Sequence, residues 1–485
     1  MSKLSNLEPK RVFGFFEDLS NIPCGEGDLE SIRDYIEEYA RSHSFRYEKD
    51  ENGNIIIFVP ATLGYEKAEP IILQGHIGTA GMVISHGMDT TKKHPVEMSV
   101  IDDYIFARGT ALSTDDRAAI ALCLAAADDG FVAHPEMELV FTCGSNSYSD
   151  GASSLDISKI KGRRMINLNS QEEGVILTSS AGGLVGKMNV PVKYHRKKGN
   201  SYKIVVSGFV GGHSGRDIGK YRGNANIIMG RLLHFLGTRV DFDIISLSGG
   251  LMHNSIPRDA DCSVLVEEKD ITSFENLIIE FEETIKNEYK ANENNISIYS
   301  NYMGETEEDV LVRKTQERVI FLLNTVPDGA QKMSQEVKTK GLVETSLNIG
   351  IMRMDEKKFY LEGTIRSMIS SAKYALSDKL RYLTETIGGI YTETGDYPAW
   401  EYNENSELAS LCSNVYRNLF GQNVRISGVH AGLECGTFFS RIKGIDIVSM
   451  GPEIVDAHTQ SEKLSISSTV RTWNFLISIL RTMNI

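Results

Sequence analysis

The feature that most constrains this fold is an alternation of short apolar runs with an alanine-rich segment. Residues 70–74, 136–143, 164–168 and 445–450 each read as a short apolar strand. Between the first two lies 117–128, an Ala-rich helix. Strand, helix, strand alternation predicts an α/β domain with a mostly parallel sheet and helices on its faces. In such sheets the chemistry collects in loops beyond the C-terminal ends of the strands.

Upstream, 9–19 reads as a helix. A second helix, 28–41, carries Leu29, Ile32, Ile36 and Tyr39 on one face, with Asp28 as its N-cap. Strands 45–49 and 54–59 flank Asn52-Gly53, a tight hairpin signal because both residues tolerate positive φ. Between residues 179 and 396 the texture changes. Segments 202–207 and 358–366 are β-like, while 273–289 and 374–387 are helical. The expected organisation is a discontinuous α/β domain, 1–178 and 397–485, interrupted by an inserted α+β domain, 179–396. The polar, Asn-rich stretch 290–304 reads as an exposed linker.

The chain has 485 residues, long enough for more than one core. It carries 51 Lys and Arg against 65 Asp and Glu, a formal charge of −14. That balance argues against nucleic acid or an anionic membrane as a partner, since both select basic surfaces. The longest plainly apolar stretch, 118–127, is far short of the roughly 20 residues needed to cross a bilayer. Residues 1–10 lack the apolar core of a signal peptide. Six cysteines, at 24, 123, 143, 262, 412 and 435, show no CxxC spacing. They read as reduced thiols in a cytoplasmic protein, without a local signature for thiol catalysis.

Polar residues sit just past the predicted strands. His76 follows 71–74, Ser145-Asn146 follow 138–143, Asn169 follows 165–168, and His458 lies in the loop after 445–450. Asp115 stands immediately before the Ala-rich helix. His76, Asp115 and His458 make a two-histidine, one-carboxylate set of the kind that suits Zn²⁺, Fe²⁺ or Mn²⁺. The same residues also fit a plain role, Asp115 as helix N-cap and the histidines as loop residues.

Whole segments of the chain are similar to the aminoacylhistidine dipeptidases, also called Xaa-His or cytosolic non-specific dipeptidases. That family belongs to the co-catalytic zinc metallopeptidases that include carnosinase. The similarity is carried by Leu73-Gln74-Gly75-His76, Gly211-Gly212-His213-Ser214-Gly215 and Asn254-Ser255-Ile256-Pro257-Arg258. It continues through Val343-Glu344-Thr345-Ser346-Leu347-Asn348, His430-Ala431-Gly432-Leu433-Glu434-Cys435-Gly436 and Gly451-Pro452 leading to His458. It covers essentially the full length. It implies a catalytic α/β domain interrupted by a lid domain, two zinc ions bridged by one Asp, and a Glu general base acting on a dipeptide.

Carried over residue by residue, the resemblance implies a broken metal site. The first His is present as His76, the bridging Asp as Asp115 and the final His as His458. The Asp that orients the first His falls on Gly78, the paired Glu-Glu on Ser145 and Asn146, and the first-metal Asp on Asn169. The general-base position is therefore Ser145, and no intact catalytic base remains. Asn146 and Asn169 are neutral amides that bring no charge to offset two dications. At most one zinc ion is expected, and none is equally consistent with these donors. Loss of a general base alone removes about 10²–10⁴-fold in rate. The expectation is a dipeptidase homologue with impaired or absent activity.

Three rescues bear on that expectation. One ion could sit centrally among His76, Asp115 and His458. Nearby acids, Asp116, Glu172-Glu173, Glu453 or Asp456, could substitute for the lost ligands. Ser145 could act as a nucleophile with His458 as base, although no GxSxG elbow surrounds it. On the recognition side, the resemblance assigns His213, Asn254 and Arg366 to the peptide carboxylate or the tetrahedral intermediate, with His430 and Gly432 lining the pocket. The alternatives in other classes are a non-catalytic peptide-binding or regulatory protein and a structural partner for an active paralogue. The expected ligand is a small peptide or dipeptide. Oligomeric state stays open, with a homodimer the commonest outcome for such chains.

Overall fold

The computed structural model describes every residue except 1–3, 23–28, 79–97, 108–112, 129, 131, 145–149, 337–338, 458, 460 and 485. The chain divides into two compact units. One comprises 1–180, 402–428 and 433–485, and the other comprises 181–401 and 429–432.

The first unit is built on an eight-stranded sheet. Its four central strands pair in parallel, in the order Met137–Cys143, Ile71–Ile77, Arg164–Asn167 and Asp446–Ser449. Arg46–Lys49, Ile55–Val59 and Val175–Ser180 pair antiparallel outside them. The central strands are buried on both faces, which is why they read as unbroken apolar runs.

The alanine-rich helix spans Thr114–Asp128 and is buried along nearly its whole length. Alanine has the best helix propensity, and a helix apolar all round has to be enclosed. Its small side chains also let it lie close on the sheet. A Cβ built on Gly75 would stand only 3.2 Å from the Ala119 Cβ. That close approach brings the acidic first turn of the helix beside the end of the Ile71–Ile77 strand.

Three local expectations are corrected. Asp115 is not a cap in front of the helix but lies inside its first turn. The Asn52-Gly53 hairpin is not a two-residue turn, because residues 50–54 all lie between the paired Lys49 and Ile55. Of the two, only Gly53 has positive φ, at 85°. The Asp50 carboxylate closes this wider loop by accepting bonds from the Asn52 and Asn54 amides at 2.9 Å each. The stretch 290–304 is not a linker throughout, since Ser297–Leu311 is a long strand. Exposure alternates along residues 304–309, as on a strand with one wet face. The expected cap Asp28 lies outside the described residues.

The second unit carries an antiparallel sheet of long strands. Its order runs Ser297–Leu311, Tyr194–Ser207, Ala260–Val266, Phe242–Gly249, Val343–Met354, Lys358–Ser367, Gly182–Pro191 and Ile390–Tyr397. Helices Ala225–Gly237, Ile271–Tyr289, Arg313–Thr325 and Ser370–Thr386 supply apolar faces to its core. No helix among the described residues is long and apolar enough to cross a membrane.

Candidate functional site

In the first unit, the site is set by the ends of the central strands and the start of the alanine-rich helix. His76 is the sixth residue of its strand. Its backbone N–H donates to Asn169 Oδ1 at 3.0 Å, and its Nδ1 stands 3.3 Å from Asp116 Oδ1. Asn169 Nδ2 donates to the same Asp116 oxygen at 2.9 Å. Gln171 Nε2 donates to Asp115 Oδ2 at 2.8 Å. Both carboxylates sit in the first turn of a helix, where unpaired amides and the macrodipole favour negative charge.

Behind this layer a polar row crosses the four central strands. Ser449 Oγ donates to Asn167 Oδ1, and Asn167 Nδ2 donates to Gln74 Oε1, each at 2.5 Å. Gln74 Nε2 donates to Thr142 Oγ1 at 3.0 Å and to Glu434 Oε2 at 2.9 Å. Thr142 Oγ1 donates to the same Glu434 oxygen at 2.5 Å. Glu434 Oε1 is buried with no hydrogen-bond partner among the described residues. Burial pushes the Glu434 carboxyl up, against the pull of His76, Thr142 and Gln74. Burial works against charge on His76 too, but Asp116, Glu434 and Asp115 outweigh it and raise the imidazole to about 9.

These contacts test how well the residues suit a metal pair. His76 Nδ1 faces Asp116, so only Nε2 could ligate. One Asp115 oxygen already accepts from Gln171, and Asn169 is neutral and spans His76 and Asp116. Among the described residues no three His, Cys, Asp or Glu side chains gather as a metal group. The described donors therefore do not make up a dinuclear zinc set. Ser145, Asn146 and His458 lie outside the described residues.

In the second unit, the expected recognition residues fall in two clusters. The two-residue strands Gly212–His213 and Ser255–Ile256 pair antiparallel, and Ser214 N donates to Asn254 O at 2.9 Å. That short ladder brings His213 and Asn254 together. Buried Asn348 clamps the same loop by donating to the carbonyls of His253 and Ser255, both at 2.9 Å. His213 Nδ1 accepts from Gly215 N at 3.1 Å, which leaves its proton on Nε2. Burial, then Arg366 and Arg216, hold His213 below its ordinary value, so it is a neutral donor.

The second cluster centres on Arg366, which lies opposite Ser346 on the adjacent strand. Its Nη1 donates to Tyr397 Oη at 2.6 Å, and its Nε is buried without a partner among the described residues. Ser346 Oγ pairs with His430 Nε2 at 2.7 Å. Burial, then Arg366, push His430 down to about 3. Gly432 is required because a Cβ there would stand 2.7 Å from Tyr397 Cε2. The cluster offers one guanidinium and one neutral imidazole, a set suited to a carboxylate.

Three comparisons bear on this geometry. The profile of peptidase family M20/M25/M40 matches residues 83–482. The chain belongs to that family. It is 31% identical over 483 residues, 99% of each chain, to the cytosol non-specific dipeptidase of Escherichia coli strain K12. It is similar in structure to the aminoacylhistidine dipeptidase of Vibrio alginolyticus, with TM-score 0.89, 30% identity, and 99% and 98% of the two chains covered. An aminopeptidase from Bacillus cereus shares the fold at TM-score 0.56 and 14% identity, covering 98% of this chain and 99% of that one.

Gln74, Thr142, Asn167, Ser449, Glu434 and Tyr397 are site residues that neither the strand-end positions nor the resemblance picks out. The signal for the first four was a polar residue breaking an apolar run. Tyr397 and Glu434 had no such signal, because their partners come from distant segments. The described cysteines, at 123, 143, 262, 412 and 435, are unpaired and buried, and burial pushes each thiol up. They are poor nucleophiles.

Proposed function

We propose that this M20 peptidase homologue takes small peptides of the dipeptide class and hydrolyses them poorly or not at all. In this reading the discontinuous unit has lost its paired-metal centre. The inserted unit keeps the peptide contacts, with His213, Asn254 and Arg366 on a carboxylate and His430 and Gly432 shaping the pocket. The observation that carries the reading is the His76–Asp116–Asn169 network. Within it Asn169, a neutral amide at a position where the resemblance expects a charged ligand, is spent on the His76 backbone and on Asp116. At most one zinc ion binds. The buried free thiols support a cytoplasmic, reducing location.

The test is metal analysis of the purified protein together with hydrolysis of an Xaa-His dipeptide in added Zn²⁺, Mn²⁺ or Co²⁺. The expected result is less than one equivalent of metal, and turnover well below the roughly 1–10³ s⁻¹ of ordinary enzymes. Two equivalents with turnover in that range would overturn the reading. One equivalent with measurable turnover would favour a single-ion hydrolase built on His76, Asp115 and His458.

A further inference from the structure

We propose that Asp116 is the positioning residue of His76, delivered from the alanine-rich helix into the space that a side chain at position 78 would occupy. Two facts point there independently. Asp116 Oδ1 stands 3.3 Å from His76 Nδ1 while also accepting from Asn169 Nδ2. A Cβ built on Gly78 would overlap Asp116 Oδ2 and lie 3.1 Å from His76 Nδ1. The strand end and the helix start thus compete for one volume beside the ring. A carboxylate can enter it from position 78 or from position 116, but not from both.

The exchange has a physical logic. A ligand-type histidine keeps its ring orientation only while its far nitrogen is held by an acceptor. Glycine at 78 removes the local source of one. The close approach of Gly75 to Ala119 brings the helix near enough to supply another. Asn169 then fixes the second partner, because it holds the His76 backbone with its oxygen and Asp116 with its amide. The inference rests on the placement of His76 alone and stands whether or not the protein hydrolyses peptides.

The experiment compares wild type, G78D, D116A and G78D/D116A by thermal unfolding and by the ¹⁵N shift of His76 Nδ1. G78D alone forces two carboxylates into one space, and its Tm falls by more than about 2 °C. D116A alone leaves the ring unanchored, and the Nδ1 resonance moves beyond its linewidth. In the double variant both readouts return toward wild type, a non-additive recovery that sites without a shared partner do not show. A merely structural Asp116 would change Tm and leave the Nδ1 resonance in place. If G78D does not fold, G78A serves instead, because its bare Cβ already displaces Asp116 and moves the same resonance. Strictly additive Tm changes, or an unmoved Nδ1 resonance in D116A, would overturn the proposal.

Discussion

Replacing Tyr397 with Phe removes one oxygen and tests whether Arg366 is held by the hydroxyl. The ring is clasped on two sides, since a Cβ on Gly183 or Gly432 would come within 2.7 Å of Cζ or Cε2 respectively. Phe keeps that packing. What is lost is the 2.6 Å bond to Arg366 Nη1. Arg366 is only 7% exposed and its Nε already lacks a partner, so water is poorly placed to replace the bond. A hydrogen bond to a charged group contributes about 1.5–3 kcal/mol. For a unit of 150–250 residues each kcal/mol moves Tm by about 2–4 °C, so Y397F should lower the transition of the inserted unit by roughly 3–12 °C. Differential scanning calorimetry reads this directly. A change under about 1 °C would mean that the guanidinium finds equal partners elsewhere and that Tyr397 is not its anchor.

Other outcomes follow from the same geometry. Below about pH 6.5 the unfolded chain protonates His430 while the folded chain resists down to about 3, so His430 makes stability fall on acidification. Asp328 acts in the opposite sense. Burial outweighs its bonds from Ile349, Asn224 and Gly329 and lifts it to about 7, so the folded chain holds a proton that the unfolded chain releases. In urea titrations between about pH 4 and 6.5, H430Q should therefore gain stability on acidification and D328N should lose it. Equal slopes for the two variants would refute both assignments. Asn54 is 1% exposed, donates to Asp50, Gly151 and Ser154, and accepts from the Cys143 amide at 2.8 Å. N54A strands buried backbone groups and should cost about 2–4 kcal/mol by chemical denaturation. Restoring acids at 145, 146 and 169 while Gly78 and Asp116 stay should yield zinc uptake by metal analysis, because Asp116 already holds the His76 ring, and no uptake would contradict that placement.

Much of this protein was legible in its residues. The four central strands show as apolar runs because they are buried on both faces. The enclosed helix shows through its alanines, and the neutral side chains at 78, 145, 146 and 169 are read directly from the residues. The hairpin at Asn52-Gly53 was placed correctly, but its loop size was not, because Asp50 rather than the dipeptide sets it.

Tertiary structure alone decided what stands in the space beside Gly78. Asp116 follows Asp115 in the sequence and reads there only as one of several nearby acids. It becomes the partner of His76 because Gly75 and Ala119 let helix and strand approach closely. Likewise Tyr397, Arg366, Ser346 and His430 are spread along the chain and meet through strand register and one loop. Residue type and local pattern report burial and propensity, which are properties of a segment. Which polar group satisfies which is settled by distances between segments, and those exist only once the sheets have formed.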